Sequence, residues 1–271
     1  MPRIDRISVC IAGATGWTGR ALVPAVLAAP DLELVSAVSR SAAGRDLGEA
    51  LGDPANGVPV HRSVEEALDG VDVMIDYTSA TAVKANTMAA VEAGVGVVVG
   101  SSGLTASDLA EIDAVARSRS VGVVASGNFS VTAALCQAAA LTAARHLPYW
   151  EVIDYASAGK LDVPSGTARE LAERLGEVRR PETGHPIEEL EGPKEARGAT
   201  VAGAQIHSIR LPGFVVSTEV VFAAPGERLT IRHDAGETPE PYVEGTLLAV
   251  RKVPGLVGVT RGLDTLLLAQ D

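Results

Sequence analysis

The chain has 271 residues, of which 46% are hydrophobic and 21% charged, a globular composition that excludes a disordered or collagen-like chain. Its 34 acidic and 23 basic residues give a net charge of −11 at pH 7, which argues against nucleic acid or an anionic membrane as the main partner. No apolar stretch reaches the roughly 18 residues that a membrane helix needs, and no basic-then-apolar signal peptide is recognised, so we expect a cytoplasmic protein.

Strand and helix patterns alternate over the first part of the chain. Short β-branched runs predict strands over 7–12, 32–39, 71–77, 95–99 and 121–125. Helical stretches lie between them, over 18–29, 81–93 and 105–118. Ser63 and Glu66 have the spacing of a capping box that opens a further short helix, and Thr105 is expected to cap the last helix. The alternation predicts an α/β fold with a parallel sheet, right-handed crossovers and helices on both faces.

The pattern changes near residue 128. Helices are predicted over 130–146, 165–175 and 239–253, and Gly176 is expected to end the second of them. Strands are predicted over 150–156, 205–211, 215–222 and 229–233. The polar, Pro-rich and Gly-rich segment 178–200 predicts a long loop. Together these elements predict an α+β domain with a mostly antiparallel or mixed sheet.

A glycine-rich turn links the first predicted strand to the first predicted helix. Its residues are Gly13, Ala14, Thr15, Gly16, Trp17 and Thr18, followed by Gly19. Glycines let the backbone turn sharply and approach a pyrophosphate, which free N–H groups and the positive end of the helix dipole then bind. The position at the start of a βαβ unit favours a dinucleotide site. The alternative is a tight turn that packs without a ligand.

The end of the second predicted strand indicates which cofactor binds. An Asp or Glu is expected there when the ribose is unphosphorylated, whereas this chain has Ser39, Arg40 and Ser41. A guanidinium flanked by hydroxyls suits a 2′-phosphate. We therefore predict NADPH in preference to NADH, with NADH still possible. The alternative is that Arg40 is a solvated surface residue.

Two further strand ends are expected to line the cofactor crevice, because ligands of doubly wound sheets bind outside the carboxyl ends of the strands. Their residues are Tyr77 and Thr78 after one strand, and Gly100, Ser101 and Ser102 after the next. Taken one at a time, these segments are also compatible with ordinary turns.

The segment from Lys160 to Ala168 is the most informative part of the second region. Ser165, Gly166 and Thr167 supply hydroxyls and N–H groups at the start of a predicted helix, which is an anion site suited to a carboxylate. Lys160 adds a positive charge or a proton. On its own, the segment is also compatible with a capped helix and a solvated lysine.

Taken together, these stretches make the sequence resemble the dihydrodipicolinate reductase family. The resemblance runs along nearly the whole chain in the right order. It comprises the glycine-rich turn and residues 75–78, 100–103, 128–131, 160–168, 207–210 and 226–233. The stretch 160–167 together with 128–130 is quite specific.

The family implies a Rossmann-like, doubly wound cofactor domain and an inserted α+β domain that binds substrate and builds a homotetramer through its sheet. On this chain the cofactor domain comprises residues 1–127 and 239–271, and the inserted domain comprises 128–238. The implied activity is NADPH-dependent reduction of a conjugated C=N bond in a small cyclic imine, in the diaminopimelate route to lysine.

The resemblance also implies roles for single residues. The family's cofactor-binding positions correspond to the glycine-rich turn, Arg40, Gly100, Ser101, Ser102, Ser126, Gly127, Asn128 and Phe129. Its substrate carboxylate site corresponds to Gly166 and Thr167, and its proton-donating lysine corresponds to Lys160.

One departure concerns the histidine pair that the family carries before this lysine. Its general acid corresponds to Ala156 and its substrate-binding histidine to Ser157, and neither side chain donates a proton near neutral pH. Residues 234–239 also lack the basic residue that the family often has there. Three interpretations stay open: the family reaction, with Lys160 as proton donor; a divergent reductase for a cyclic imine with fewer carboxylates; and a non-catalytic NADPH-binding sensor.

The remaining reactive side chains carry no predicted chemistry. Cys10 and Cys136 are too few for a disulfide framework, and we expect both to be inert buried thiols. The histidines show no metal-ligand spacing, so no metal is predicted. Tyr155 is expected in the core, with a role as an acid as the alternative, and His207 is expected at a sheet surface or an interface.

Overall fold

The structure is a computed structural model that describes residues 6–269. In chain order its elements are β1 (Ile7–Ala12), α1 (Trp17–Ala28), β2 (Leu32–Val38), α2 (Leu47–Leu51), β3 (Val60–His61), α3 (Val64–Ala67), β4 (Val73–Asp76), α4 (Val83–Glu92), β5 (Gly96–Val99), α5 (Ala106–Arg119), β6 (Gly122–Ala125), α6 (Val131–Ala144), β7 (Tyr149–Ala156), α7 (Gly166–Val178), β8 (Ala199–Val201), β9 (Ala204–Arg210), β10 (Val216–Ala224), β11 (Glu227–Asp234), α8 (Pro241–Lys252), β12 (Gly258–Arg261) and α9 (Leu263–Leu267). They divide into two compact units, residues 6–130 with 239–269, and residues 131–238.

A seven-stranded parallel sheet forms the centre of the first unit. Its strand order is β12-β6-β5-β4-β1-β2-β3, so the order reverses between β1 and β4. All residues of β4, β5 and β6 are buried, and apart from Asp76 they are apolar or glycine, without the alternation of a half-buried strand. In an open sheet of this kind, ligands bind outside the carboxyl ends of the strands at the point of reversal. The predicted Rossmann-like, doubly wound fold is confirmed.

The second unit is built on a five-stranded mixed sheet. Its order is β11-β10-β7-β9-β8, with β7 and β9 parallel and the other pairs antiparallel. Trp150, Val152 and Phe222 pack with Leu171 and Leu175 of α7 in a single hydrophobic core, to which α6 also contributes. Both α-helices of residues 131–238 therefore cover the same face of the sheet, and we call the opposite face the open face.

Two local predictions were wrong. Within the described residues the Ser63 side chain makes no hydrogen bond that caps α3, because its hydroxyl bonds to Glu65 instead, while the Glu66 carboxylate accepts from the backbone N–H of Arg62. Gly176 does not end α7, which continues to Val178. A Cβ at Gly176 would lie 2.8 Å from the carbonyl oxygen of Ala202, so this glycine serves the close approach of the β8–β9 turn to the helix.

Five short elements escaped prediction: α2, β3, β8, β12 and α9. The strands among them have two to four residues and lie at or beside sheet edges, where no alternation of apolar and polar residues develops. β12 matters most for the architecture, because it brings the C-terminal segment into the parallel sheet beside β6.

The two cysteines differ in their surroundings. Cys10 is buried in β1, and burial raises the pKa of its thiol to about 11, which fits an inert thiol. Cys136 on α6 is only partly buried, so its predicted full burial was wrong. From residue 6 to residue 269, none of the helices has both the length and the apolar character required to cross a lipid bilayer.

Candidate active site

The glycine-rich turn lies between the end of β1 and the start of α1. Gly13 has a φ of +87°, and a Cβ there would collide with the carbonyl oxygen of Tyr77. A Cβ at Gly19 would collide with the carbonyl oxygen of Gly13, so the first turn of α1 packs directly on the loop. Gly16 occupies the N-cap position and brings no side chain to the first N–H groups of α1. These N–H groups suit an anion.

A chain of hydroxyl groups connects this turn to the end of β2. The Thr15 Oγ1 and Ser39 Oγ atoms lie 2.7 Å apart, and Ser39 Oγ lies 3.3 Å from Ser41 Oγ. Ser39 is buried and Arg40 beside it is exposed. The structure therefore brings together the two predicted cofactor segments, with three hydroxyls and one guanidinium and without a carboxylate at residues 39–41.

Asp76 organises the loops that follow β4 and β5. Its carboxylate is fully buried and accepts hydrogen bonds from the Thr78 hydroxyl at 2.8 Å, the Ser101 hydroxyl at 2.6 Å and the Asn86 amide at 2.8 Å. The backbone N–H of Thr78 donates to the same carboxylate at 3.0 Å. This role of Asp76 was not predicted from the sequence, although its position at the end of an apolar strand was a usable signal.

The Tyr77 side chain packs between α8 and the turn after β6. Its hydroxyl lies 3.0 Å from Thr246 Oγ1 of α8, and its ring packs edge-on against Phe129 at a centroid distance of 6.3 Å. Burial raises the pKa of Tyr77, so this phenol stays protonated. A Cβ at Gly100 would collide with the same ring. The Tyr77 hydroxyl is therefore committed to its contact with Thr246.

Helix α8 contributes a second aromatic contact that was not predicted from the sequence. Trp17, at the first position of α1, is 51% exposed and packs edge-on against Tyr242 of α8 at 5.9 Å. Thr246 of the same helix donates its hydroxyl hydrogen bond to the Tyr242 carbonyl. α8 thus contacts both Trp17, at the end of the glycine-rich turn, and Tyr77.

The turn after β6 carries the last of the predicted cofactor residues. The Ser126 hydroxyl donates to the Asn128 carbonyl at 2.9 Å, and the Asn128 side-chain oxygen accepts from the Ser130 backbone N–H at 2.8 Å. The predicted cofactor residues therefore all follow the carboxyl ends of the parallel strands β1, β2, β4, β5 and β6. Ser102 is exposed, and Gly127 lies between Ser126 and Asn128, which are hydrogen-bonded to each other.

In the second unit, the predicted anion site is the start of α7. Ser165 is the N-cap and is 1% exposed. Its hydroxyl accepts from the Ala168 N–H at 3.3 Å and donates to Asp154 at 2.7 Å. The Ser165 side chain is therefore committed to the fold. Gly166 and Thr167, which begin the helix, are partly exposed.

Lys160 lies in the loop between β7 and α7. Its Nζ atom is 2.9 Å from the Asp162 carboxylate, and its side chain is 28% exposed. Ala156, the last residue of β7, is buried, whereas Ser157 is exposed. This loop thus combines one cation with an exposed hydroxyl, and it lies directly before the first turn of α7.

The other two candidates, Tyr155 and His207, lie on the open face. Because successive side chains of β7 point to opposite faces of the sheet, Asp154 and Ala156 lie on the other face. The Tyr155 hydroxyl donates to Glu219 at 3.2 Å, and Tyr155 is neither core nor placed on the face of Ala156. His207 pairs with Glu151 at 2.7 Å on this face, as expected for a sheet-surface residue. Among residues 6–269, no cluster of three His, Cys, Asp or Glu side chains is placed to hold a metal ion.

Comparison with known proteins covers both units. The family model described as dihydrodipicolinate reductase, N-terminus, matches residues 7–129, and the one described as dihydrodipicolinate reductase, C-terminus, matches residues 128–264. A 4-hydroxy-tetrahydrodipicolinate reductase from Moorella thermoacetica is 41% identical, over 97% of this chain and 99% of that protein. One from Thermosynechococcus vestitus is 39% identical, over 96% of this chain and 97% of that protein.

Solved structures give the same picture of the fold. A dipicolinate-bound dihydrodipicolinate reductase from Paenisporosarcina sp. TG-14 is 32% identical, with a TM-score of 0.74 over 96% of this chain and 99% of that one. An amine dehydrogenase from Mycobacterium smegmatis, 17% identical, has a TM-score of 0.63 over 94% of each chain and shares the fold.

The glycine-rich turn yields a test of its packing. We expect Gly13→Ala to lower the free energy of unfolding by on the order of 3 kcal/mol, because the new methyl group adds a collision with the Tyr77 carbonyl to the cost of a positive φ. Gly44→Ala is the matched control: its φ is +82°, but no described atom lies within 4 Å of its Cβ, so about 1 kcal/mol is expected. Urea unfolding followed by tryptophan fluorescence measures both, and equal losses would contradict the packing argument.

Proposed function

We propose that this chain, which belongs to the dihydrodipicolinate reductase family, is an NADPH-dependent reductase that acts on the conjugated C=N bond of a cyclic imine. The observation that carries the proposal is the family match over both units, with the glycine-rich turn and the Lys160–Thr167 stretch each in place. The proposed substrate is the one that its relatives' name gives, 4-hydroxy-tetrahydrodipicolinate, in the diaminopimelate route to lysine.

The geometry of the first unit supports NADPH as the cofactor. The uncapped first turn of α1 and the absence of side chains at Gly13 and Gly16 suit a pyrophosphate. The Thr15 and Ser39 hydroxyls beside the exposed Arg40 guanidinium suit a 2′-phosphate. When bound, the reduced nicotinamide supplies the hydride. NADH stays a second possibility, because nothing at residues 39–41 blocks an unphosphorylated ribose.

The second unit is proposed to hold the substrate and to supply the proton. The N–H groups of Gly166 and Thr167, at the positive end of the α7 dipole, suit a substrate carboxylate. Ser157 is exposed at the end of β7 and supplies a hydroxyl for a polar substrate group. Lys160 is proposed as the proton donor, since its ammonium group is the cation of this loop and is partly exposed.

A second candidate function is favoured by Ala156 and Ser157. A carboxylate removed from water without a partner costs several kcal/mol, and neither residue offers a positive charge to a second substrate carboxylate. A reductase for a cyclic imine with a single carboxylate would need only the start of α7 and Lys160. The relatives' name favours the first candidate, and the side chains at 156 and 157 favour the second.

We further propose that the chain forms a homotetramer through the open face of the second sheet. A groove of about 580 Å³ crosses this face between β7, β9, β10 and the segment 181–197. One charged cluster in this groove is already paired, since Glu151 binds Arg197 and His207. Burial raises the pKa of Glu151, but these two partners together outweigh it and hold the pKa below its ordinary value. Burying a paired charge against another subunit costs less free energy than burying an unpaired one. Location in the cytoplasm stays a prediction.

The cofactor proposal predicts a selective effect of Arg40→Ala. We expect the Kd for NADPH to rise about 10- to 100-fold, because a hydrogen bond to a charged group contributes about 1.5–3 kcal/mol, and the Kd for NADH to change little. Titration calorimetry with both cofactors measures this. Arg119→Ala, which removes an exposed arginine from α5, is the control for charge. An equal rise for both cofactors would show that Arg40 does not recognise the 2′-phosphate.

The reaction itself is tested with freshly generated 4-hydroxy-tetrahydrodipicolinate and with cyclic imines of one or no carboxylate. We expect NADPH oxidation with the first substrate, and a fall in kcat of about 100-fold or more for Lys160→Ala, as for loss of a general acid. NADPH affinity is expected to be unchanged in this variant. Turnover confined to the other imines would replace the first candidate by the second. NADPH binding without turnover of any imine would leave the sensor interpretation.

The proposed tetramer predicts a response to one substitution on the open face. Val221 of β10 lines the groove, and Val221→Arg is expected to lower the molar mass in solution from that of a tetramer, because it places an unpaired charge in the interface. Leu135→Arg is the control, since Leu135 is 50% exposed on α6. Light scattering coupled to size exclusion measures both. A wild-type monomer of 27.8 kDa would refute the proposal.

A further inference from the structure

A fully buried carboxylate, that of Asp154, belongs to a hydrogen-bond network that reaches the loop carrying Lys160. Asp154 of β7 is 0% exposed and accepts from the Ser165 N–H at 2.9 Å, the Ser165 hydroxyl at 2.7 Å and the Ser208 hydroxyl at 3.0 Å. Arg210 of β9 donates to it at 2.8 Å. Asp154 therefore joins three elements: its own strand, the neighbouring strand β9 and the first turn of α7.

Arg210 extends this network to the loop itself. The Nη2 atom that binds Asp154 also donates to the main-chain carbonyl of Asp162 at 2.7 Å, while Nη1 binds the Ile209 carbonyl at 3.0 Å. The Asp162 carboxylate in turn lies 2.9 Å from Lys160 Nζ. A single guanidinium thus links the buried aspartate to the residue that pairs with the lysine.

Stability alone is a weak explanation for this arrangement. Ser165 already caps α7 through its contact with the Ala168 N–H, and a helix needs no carboxylate beneath its cap. Buried ion pairs contribute little net stability compared with apolar residues of the same volume, because both charges lose their hydration. What such a pair does supply is a fixed geometry, since each partner loses its hydrogen bonds if the other moves.

We propose that Arg210 and Asp154 are positioning residues, which fix Lys160 and the first turn of α7 in one arrangement for the substrate. This inference rests on the proposed function for the role of Lys160, but the order that it assigns to the loop is independent of turnover. Arg210 acts through Asp162 on Lys160, and Asp154 acts through Ser165 on Gly166 and Thr167.

The sharpest variant is Arg210→Lys, which keeps the positive charge but replaces a planar fork of donors by a single nitrogen. We expect kcat to fall about 10- to 100-fold because Lys160 is no longer held, and KM to rise several-fold because the first turn of α7 shifts. NADPH affinity is expected to stay within about twofold of wild type. Arg117→Lys is the matched control: Arg117 pairs with Asp113 on α5 of the first unit, and no change is expected.

A second readout needs neither substrate nor turnover. Hydrogen exchange of the backbone amides of residues 157–168 is expected to speed up in Arg210→Lys and in Asp154→Asn, while the rest of the second unit keeps its wild-type rates. Adding ethylguanidine to Arg210→Ala is expected to restore part of kcat and to slow the exchange of this segment, without a change in melting temperature.

The outcomes separate this inference from the proposed function. Wild-type kcat, KM and exchange in Arg210→Lys would overturn it. Uniformly faster exchange over the whole of the second unit, or a loss of kcat that follows the loss of melting temperature, would also overturn it, because the residues would then be merely structural. A wild-type enzyme that reduces no imine refutes the proposed function, and the exchange of residues 157–168 still decides the positioning role.

Discussion

Two buried aspartates, each near the end of a central strand, fix the loops on which the rest of the molecule depends. Asp76 and Asp154 are both fully buried, and both use their carboxylates to bind hydroxyls and backbone N–H groups of the segments that follow. A buried carboxylate that loses its donors pays the full cost of desolvation. The loops cannot move away without leaving this charge unpaired, so each aspartate makes one loop conformation strongly preferred in its own unit.

This constraint divides the work of the reductase between the two units. In the first, Asp76 orders Thr78 and Ser101 next to a glycine-rich turn whose own conformation follows from the close approach of Gly13 to the Tyr77 carbonyl. In the second, Asp154 orders the start of α7, where the backbone itself is the proposed ligand for a carboxylate. Backbone N–H groups carry no titratable charge, so the carboxylate binding proposed for the start of α7 does not depend on the titration of a side chain there.

Sequence patterns located most of the turns, strand ends and helix starts that depend on local backbone geometry, although the capping box at Ser63 was wrong. The glycine-rich turn, the strand ends after β4 and β5 and the start of α7 follow from spacing, capping and helix-dipole rules that act over a few residues. The roles of Asp76, Asp154 and Arg210 were missed because their partners are remote: Ser101 is 25 residues from Asp76, and Arg210 is 56 residues from Asp154. The contact of Tyr77 with Thr246 spans 169 residues. Gly176 was misassigned for the same reason: it is required by the close packing of the remote β8–β9 turn and not by the end of α7.

The resemblance implies histidines at positions 156 and 157, where this chain has alanine and serine, and this difference bears on the proposed proton transfer. An ammonium group is a weaker acid than an imidazolium, so an ammonium donor protonates a weakly basic atom poorly. Hydride addition to a C=N bond, or to a C=C bond conjugated with it, leaves the electron pair on nitrogen or on an adjacent carbon. Either centre is far more basic than an amine and accepts a proton from an ammonium group with a favourable free energy. The proton donor proposed above, a lysine paired with Asp162, is therefore acidic enough for the product of an imine reduction, and that step requires no stronger acid at positions 156 and 157.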